Sequence, residues 1–289
     1  MRSDAGRGTG RSAAASAEVA VEKFSGAAAQ QAVDAIAVEE PLEIQLVFGS
    51  AKARRTKSIS VTMRTPGDDF DLAVGFLMTE GVVRDSADIE RQLSDARPAA
   101  QNVVRIELAP HVAVSIGHLE RNFYTTSSCG VCGKSSILAL RTIGPPRSAG
   151  HFQVAPEFVS ALPGRLLAAQ DAFGRTGGLH AAGLFDLSGN LLASREDVGR
   201  HNAVDKLLGA EFLADRTPLN DRVLMLSGRS SFELLQKAAM GGVPMVVSVG
   251  APSTLAVQLA REFGMTLAGF VRADHFNVYC GAERIARAR

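Results

Sequence analysis

Two cysteines lie three residues apart in the polar segment TTSSCGVCGKSS. Cys129 and Cys132 can form a disulfide, pass sulfur between them or supply two ligands of a zinc site. Gly130 and Gly133 leave space around the thiols, and Lys134 places a cation beside them. The cation and the start of a predicted helix both favour the thiolate form. The segment therefore predicts reactive sulfur, with a zinc half-site and an ordinary surface turn as the alternatives.

Two predicted strands run directly into short polar loops that precede helices. The first loop contains Ser227, Gly228, Arg229 and Ser230, and the second covers residues 250–254. Backbone N–H groups and hydroxyls at the carboxyl edge of a parallel sheet bind phosphates well. Serine and glycine also serve as plain helix caps and turn formers. Two such loops side by side favour a phosphate-bearing ligand.

A third candidate is the charged segment REDVGRHN, residues 195–202, which lies between a predicted strand and a predicted helix. Arg200 can contact a phosphate, and Asp197 can orient His201 or cap the helix. The alternative is a solvated turn. His180, which follows two glycines, fits either a buried core histidine or a point where the backbone approaches a ligand closely.

The pattern along the chain predicts three parts. Residues 1–38 are rich in Ala, Gly and Ser and predict a mostly disordered tail. Residues 39–117 read as strand, strand, helix, strand, strand, which is typical of a small α+β domain of β-grasp-like form. Residues 118–289 carry the CxxC loop and then alternate strands with helices, which predicts an α/β domain with a parallel sheet covered on both faces. The predicted strands are residues 41–48, 57–63, 102–108, 112–116, 180–186, 191–197, 222–227, 244–249 and 265–271, and the predicted helices after residue 118 are 156–169, 202–212, 232–240 and 254–263.

Composition limits the partners. The 289 residues are 46% hydrophobic, and 31 basic and 30 acidic residues leave a net charge of +1. So balanced a charge gives no general attraction to nucleic acid or to an anionic membrane, and no apolar run is long enough to span a bilayer. Three cysteines, two of them clustered, do not form the framework of a secreted disulfide scaffold. We therefore expect a cytoplasmic protein with no nucleic-acid or membrane partner.

Six ordered motifs from residue 39 onward resemble the FdhD family of sulfur carrier proteins required for formate dehydrogenase activity. They are MRTPGDDFDLAVGFLMTEG, SSCGVCGK, TGGLHAA, REDVGRHNAVDKLLG, SGRSSFELLQKAA and GFVRADHFNVY. The resemblance implies a homodimeric sulfurtransferase that accepts persulfide sulfur from a cysteine desulfurase. It implies delivery of that sulfur to the bis-guanine-dinucleotide molybdenum cofactor, and a C-terminal domain of cytidine-deaminase-like fold without a deaminase zinc centre.

The resemblance also implies roles for particular residues. The persulfide-bearing cysteine of the family falls on Cys129, with Cys132 as its partner. Cofactor contacts are implied at Phe270, Val271, Arg272, Ala273, Asp274 and His275. The chain has GAPST where relatives commonly have a Ser-Ala-Pro-Thr pattern, and Cys280 lies outside the shared motifs. Two other functions stay open: a CxxC thiol-disulfide oxidoreductase and a non-enzymatic cofactor-binding chaperone.

Overall fold

The structure is a computed structural model that describes residues 15–90, 102–114 and 152–287. Within these residues the chain forms three β-sheets and six α-helices. The architecture is mixed α/β, as the sequence predicts. Cys129 and Cys132 lie outside the described residues.

The first sheet is an antiparallel hairpin of β1 (Ser16–Ser25) and β2 (Ala28–Ala37). In the two-residue turn between them, Gly26 has a φ of 60°, which glycine adopts without steric cost. The sequence predicted a mostly disordered tail over residues 1–38, and the structure corrects this for residues 16–37. Frequent alanines on both faces of the two strands remove the contrast between apolar and polar positions by which a strand is recognised in a sequence.

The second sheet has four strands in the order β4-β3-β6-β5. Its elements, with the helix that covers it, are β3 (Glu40–Phe48), β4 (Arg55–Arg64), α1 (Asp69–Thr79), β5 (Ile89–Glu90) and β6 (Val103–Leu108). The central pair β3 and β6 is parallel, and the outer pairs are antiparallel. The two predicted strands before the helix and the strand at residues 102–108 are confirmed. Of the strand predicted at residues 112–116, only residues 112–114 are described, and they are not in a strand.

The third sheet has six strands in the order β12-β11-β10-β9-β7-β8. The strands are β7 (His180–Phe185), β8 (Leu191–Asp197), β9 (Val223–Leu226), β10 (Met245–Ser248), β11 (Thr266–Gly269) and β12 (Asn277–Cys280). Strands β9, β10 and β11 are parallel, as predicted from their continuous apolar character. The sheet is nevertheless mixed, because β7, β8 and β12 join it antiparallel. Strand β12 was not predicted.

Helices cover both faces of this sheet. The remaining helices are α2 (Pro156–Leu167), α3 (Asp171–Thr176), α4 (Arg200–Leu213), α5 (Phe232–Met240) and α6 (Thr254–Glu262). Along β9 the side chains alternate: Val223 and Met225 pack in the cluster that includes α2, whereas Leu224 and Leu226 pack in the cluster that includes α4, α5 and α6. The result is three layers. The short helix α3 was missed because only Ala172 of its six residues is buried, which leaves no apolar period.

The small sheet and the large sheet meet through α1 and α4. A Cβ atom on Gly75 would collide with the backbone of Asp205, and one on Gly209 would collide with the backbone of Asp71. The two helices therefore touch backbone to backbone, which only glycine permits. One apolar cluster continues from Ile44 of β3 through both helices to the large sheet. The two sheets thus share a core.

Candidate functional site

Three loops meet at the carboxyl edge of the parallel strands. The loop after β10 bonds to both neighbours: the Gly250 N–H donates to the Gly228 carbonyl at 3.0 Å, and the Phe270 N–H donates to the Gly250 carbonyl at 3.1 Å. A further bond joins Ser230 N–H to the Ala251 carbonyl at 3.1 Å. The loops after β9 and β10 and the segment after β11 are therefore one continuous surface, as expected for successive parallel strands.

A cavity of about 660 Å³ opens beside this surface, between α2, α3 and the sheet edge. Its lining residues are Pro163, Gly164, Leu166, Leu167, Gln170, Phe173, Gly177, Gly178, Leu179, His180, Met225, Ser227, Val249, Val271, Arg272 and Ala273. Four of the predicted cofactor contacts lie in this lining, namely Ser227, Val271, Arg272 and Ala273, and so does His180. The walls are mainly apolar, and none of the described lining residues carries a carboxylate.

The other predicted site residues lie outside the lining. Arg229 and Phe270 are exposed on the loops, and Phe270 is 41% exposed with a φ of 54°. Such a positive φ is rare for a bulky residue and often marks a functional turn. Asp274 and His275 form an exposed pair at 2.7 Å, and this hydrogen bond lowers the pKa of Asp274.

The loop serines differ in what they do. Ser253 caps α6, because its Oγ accepts the Ala256 N–H at 3.2 Å. The plain helix-cap interpretation is therefore correct for the second loop. In the first loop, Ser230 is 1% exposed, and its Oγ has no hydrogen-bond partner in the described part of the chain.

His180 lies on the cavity wall. The sequence is compatible with either a core role or a ligand-binding role for this residue. His180 stands over Gly228, where a Cβ atom would lie 3.3 Å from the imidazole Nδ1. Burial and then the nearby Arg200 guanidinium lower the pKa of His180. The imidazole is therefore neutral at neutral pH and can both donate and accept a hydrogen bond.

His201 and Arg200 begin α4, next to the first turn of α5. His201 Nε2 lies 3.4 Å from Ser231 Oγ and 3.9 Å from a Glu233 carboxylate oxygen. Burial first, and then the positive charges of Lys237 and Arg200, lower the pKa of His201 to about 4. Arg200 Nε is buried without a hydrogen-bond partner among the residues that the structure describes. The two side chains are thus adjacent to the loop surface without lining the cavity.

Asp197 has a structural role. It is 0% exposed and forms a 2.7 Å ion pair with Lys206, which is 1% exposed. Thr65 bonds to both partners: its N–H donates to Asp197 Oδ2 at 3.1 Å, and its carbonyl accepts from Lys206 Nζ at 2.8 Å. Asp197 therefore ties the end of β4 to α4, rather than orienting His201.

Sequence reasoning missed Gln170, Phe173 and the other lining residues of α2 and α3. The two glycines before His180 were the one available signal, because they indicate close approach of the backbone to a ligand. Within the described ranges, no group of three or more His, Cys, Asp or Glu residues is arranged to hold a metal ion. In the same ranges, no helix is long and apolar enough to cross a membrane.

Fold and site together define a three-layer α/β protein with an apolar cavity beside glycine- and serine-rich loops at the carboxyl edge of its sheet. The model of the FdhD/NarQ family matches residues 37–286. The chain belongs to the FdhD/NarQ family.

Curated relatives are similar in sequence to this chain over most of its length. A protein of Streptomyces coelicolor named "Sulfur carrier protein FdhD" is 50% identical over 260 residues, covering 88% of this chain and 89% of the relative. Proteins of the same name from Mycobacterium tuberculosis and Saccharolobus solfataricus are 49% and 37% identical, each covering 87% of this chain and 92% and 91% of the relative.

A solved structure supports the fold. The crystal structure of a putative formate dehydrogenase accessory protein from Desulfotalea psychrophila matches with a TM-score of 0.72 at 23% identity. The match covers 94% of this chain and 99% of that one.

Proposed function

We propose that this protein is a sulfurtransferase that carries sulfane sulfur on Cys129. It takes the sulfur from the persulfide of a cysteine desulfurase and delivers it to the bis-guanine-dinucleotide molybdenum cofactor of a formate dehydrogenase. The proposal includes a homodimer in the cytoplasm, a β-grasp-like small sheet and a cytidine-deaminase-like large layer. Relatives named sulfur carrier proteins support it, and so does the accessory role in the name of the structural neighbour.

The cavity is the structural observation that supports this function most directly. An apolar space of about 660 Å³ accepts a planar heterocycle, since flat rings pack well against aliphatic and aromatic walls. The adjoining loops offer the exposed Arg229 guanidinium to phosphates. The absence of a carboxylate from the described lining suits a ligand that carries negative charge. A nucleotide arm of the cofactor, which is the substrate here, fits this division between apolar cavity and polar loops.

The sulfur chemistry takes place in two steps. The Cys129 thiolate attacks the outer sulfur of the donor persulfide, so that the donor S–S bond breaks and the donor leaves as a thiolate. The Cys132 thiolate then attacks the inner sulfur of the Cys129 persulfide. A Cys129–Cys132 disulfide forms, and hydrosulfide leaves for the metal. A cellular thiol must reduce the disulfide before the next cycle.

Delivery can be tested in a single cycle. The protein is loaded with sulfur, separated from the desulfurase and mixed with a formate dehydrogenase whose cofactor lacks the transferred sulfur. We expect recovery of formate oxidation with the loaded protein, and with a loaded Cys280→Ala control. A loaded Cys132→Ala variant should release sulfur slowly, because it lacks the attacking thiol.

The alternatives predict different outcomes. A thiol-disulfide oxidoreductase would act as well without preloading, and a cofactor-binding chaperone would restore activity after loss of both CxxC cysteines. Either result would contradict the sulfur-carrier proposal.

A further inference from the structure

In the described part of the chain, the β1–β2 hairpin is held mainly at its base. It packs chiefly on α3, and just after that helix a Cβ atom on Gly178 would lie 3.6 Å from the Cβ of Ala37. Residues 22–31, which form the far half of the hairpin, are all exposed. A two-stranded ribbon is only marginally stable in water, and further strands or a covering helix stabilise it. The described ranges provide no third strand for this sheet.

The open edges of the other described sheets are protected. Native proteins prevent such edges from pairing with other chains by charged side chains, by bulges or by short strands. Strand β4 has three basic residues and a register shift, and β8 ends in three charged residues. Strands β5 and β12 are only two and four residues long. On the hairpin itself, β1 has three charged residues among its ten.

Strand β2 lacks these protections. Its ten residues, AAQQAVDAIA, contain one charge, Asp34, and no Lys, Pro or Gly. Its register with β1 is unbroken, so no bulge turns the edge away. Val33 of β2 is 62% exposed, and Phe24 of β1, which the pairing places on the same face of the hairpin, is 69% exposed. A long, nearly uncharged open strand with exposed apolar side chains is a site for pairing with another strand.

We propose that the open edge of β2 pairs antiparallel with β2 of a second copy of the chain, around a two-fold axis near Val33. An axis perpendicular to the sheet keeps the same face of both hairpins on one side, so the two Val33 side chains lie opposite each other. In this register Asp34 faces Ala32 of the partner subunit, and no like charges meet. The product is a four-stranded sheet, which is stable where a two-stranded ribbon is not.

A second copy suits this edge better than a strand of an unrelated protein. A partner strand that is nearly uncharged and rich in small side chains lies against β2 without repulsion or clashes, and β2 itself meets both conditions. The second copy is also present wherever the edge that it covers is present. The inference rests on the proposed function for the homodimer alone, and it names the surface that joins the two copies.

The test is the dissociation constant of the dimer, measured by sedimentation of the full chain over a range of concentrations. The wild type should form dimers. Val33→Lys and Val33→Glu should each raise the dissociation constant at least about tenfold, because two like charges then meet at the axis. The matched control is Val61→Lys on β4, because Val61 is 61% exposed on a strand whose edge is already protected. This control should leave the dissociation constant unchanged.

Mixing the two variants separates strand pairing from damage to the hairpin. An equimolar mixture of Val33→Lys and Val33→Glu should recover dimers, because opposite charges then meet at the axis. Mixing would not repair a hairpin that either substitution had unfolded. A monomeric wild type, an unchanged dissociation constant in both variants, or a mixture that stays monomeric would overturn the proposal.

Sulfur loading of the same samples separates this inference from the sulfur-carrier proposal. A wild-type monomer that gains sulfur from a cysteine desulfurase would overturn the pairing of β2 and leave the sulfur carrier in place. A wild-type dimer that depends on Val33 but gains no sulfur would confirm the pairing and contradict the sulfur carrier.

Discussion

The buried pair of Asp197 and Lys206 gives a quantitative test of how the two sheets are held together. Asp197→Asn keeps the shape of the side chain but leaves the Lys206 ammonium in the core without a negative partner. Both residues are at most 1% exposed, so water cannot solvate the ammonium group once its partner is neutral. Breaking a buried pair from one side costs about 3–5 kcal/mol. This is a large fraction of the roughly 5–15 kcal/mol that stabilises a typical protein.

Urea and thermal denaturation provide the assay. For a protein of this size, we expect the melting temperature to fall by roughly 6–20 °C. Lys206→Met should have a similar effect, and the double variant should lose much less than the sum of the two, because the partners are coupled.

Asp221→Asn is the control, because the ion pair of Asp221 with Arg222 is solvent-exposed. Its loss should be below about 1 kcal/mol. A loss below about 1 kcal/mol for Asp197→Asn as well, or strict additivity in the double variant, would refute the assignment of Asp197 as the anchor between β4 and α4.

Three further predictions concern packing, pH and the hairpin. Gly75→Ala should destabilise the fold by about 1–3 kcal/mol in urea denaturation, because its Cβ would collide with the Asp205 backbone. The control is Gly164→Ala in α2, where a Cβ would meet no other atom, and this variant should be as stable as the wild type or slightly more stable. Because the native pKa of His201, about 4, lies below its unfolded value of 6.5, the unfolded state binds the proton first, and stability should fall as the pH drops from 6.5 towards 4. A His201→Gln variant should show a flatter stability profile in that window; an equal slope would assign the effect to other groups. A chain beginning at Glu39 should still load sulfur but bind GDP more weakly, because the hairpin packs on α3, which forms part of the cavity wall. An unchanged affinity for GDP would show that the hairpin does not support the wall.

The elements that the sequence predicted well are those in which apolar residues recur at the regular spacing of a helix or a strand. Helix α5 was predicted with its observed limits, because apolar residues recur at helical spacing between a polar loop and a glycine. The weak or short elements were missed. The β1–β2 hairpin is alanine-rich, α3 has one buried residue, and β12 is a four-residue antiparallel edge whose pairing depends on the completed sheet.

The site was predictable only where it follows from local chain order. A strand that ends in a polar loop before a helix places Ser227 at the sheet edge. The segment of Arg272 was implied by the family resemblance alone. The positions of Gln170 and His180 depend on how α2 and α3 fold over that edge, which no local pattern encodes. The Asp197–Lys206 pair likewise depends on Thr65, which is distant in sequence. The roles of Cys129 and Cys132 stay predictions.

Sulfur loading tests the central claim most directly. The protein is incubated with a cysteine desulfurase and free cysteine, and its intact mass is measured without reductant. The wild type and Cys280→Ala should each gain one sulfur atom that a reductant removes, whereas Cys129→Ala should gain none while it melts at the temperature of the wild type. Sulfur gained by Cys129→Ala, or no gain by the wild type, would contradict the account.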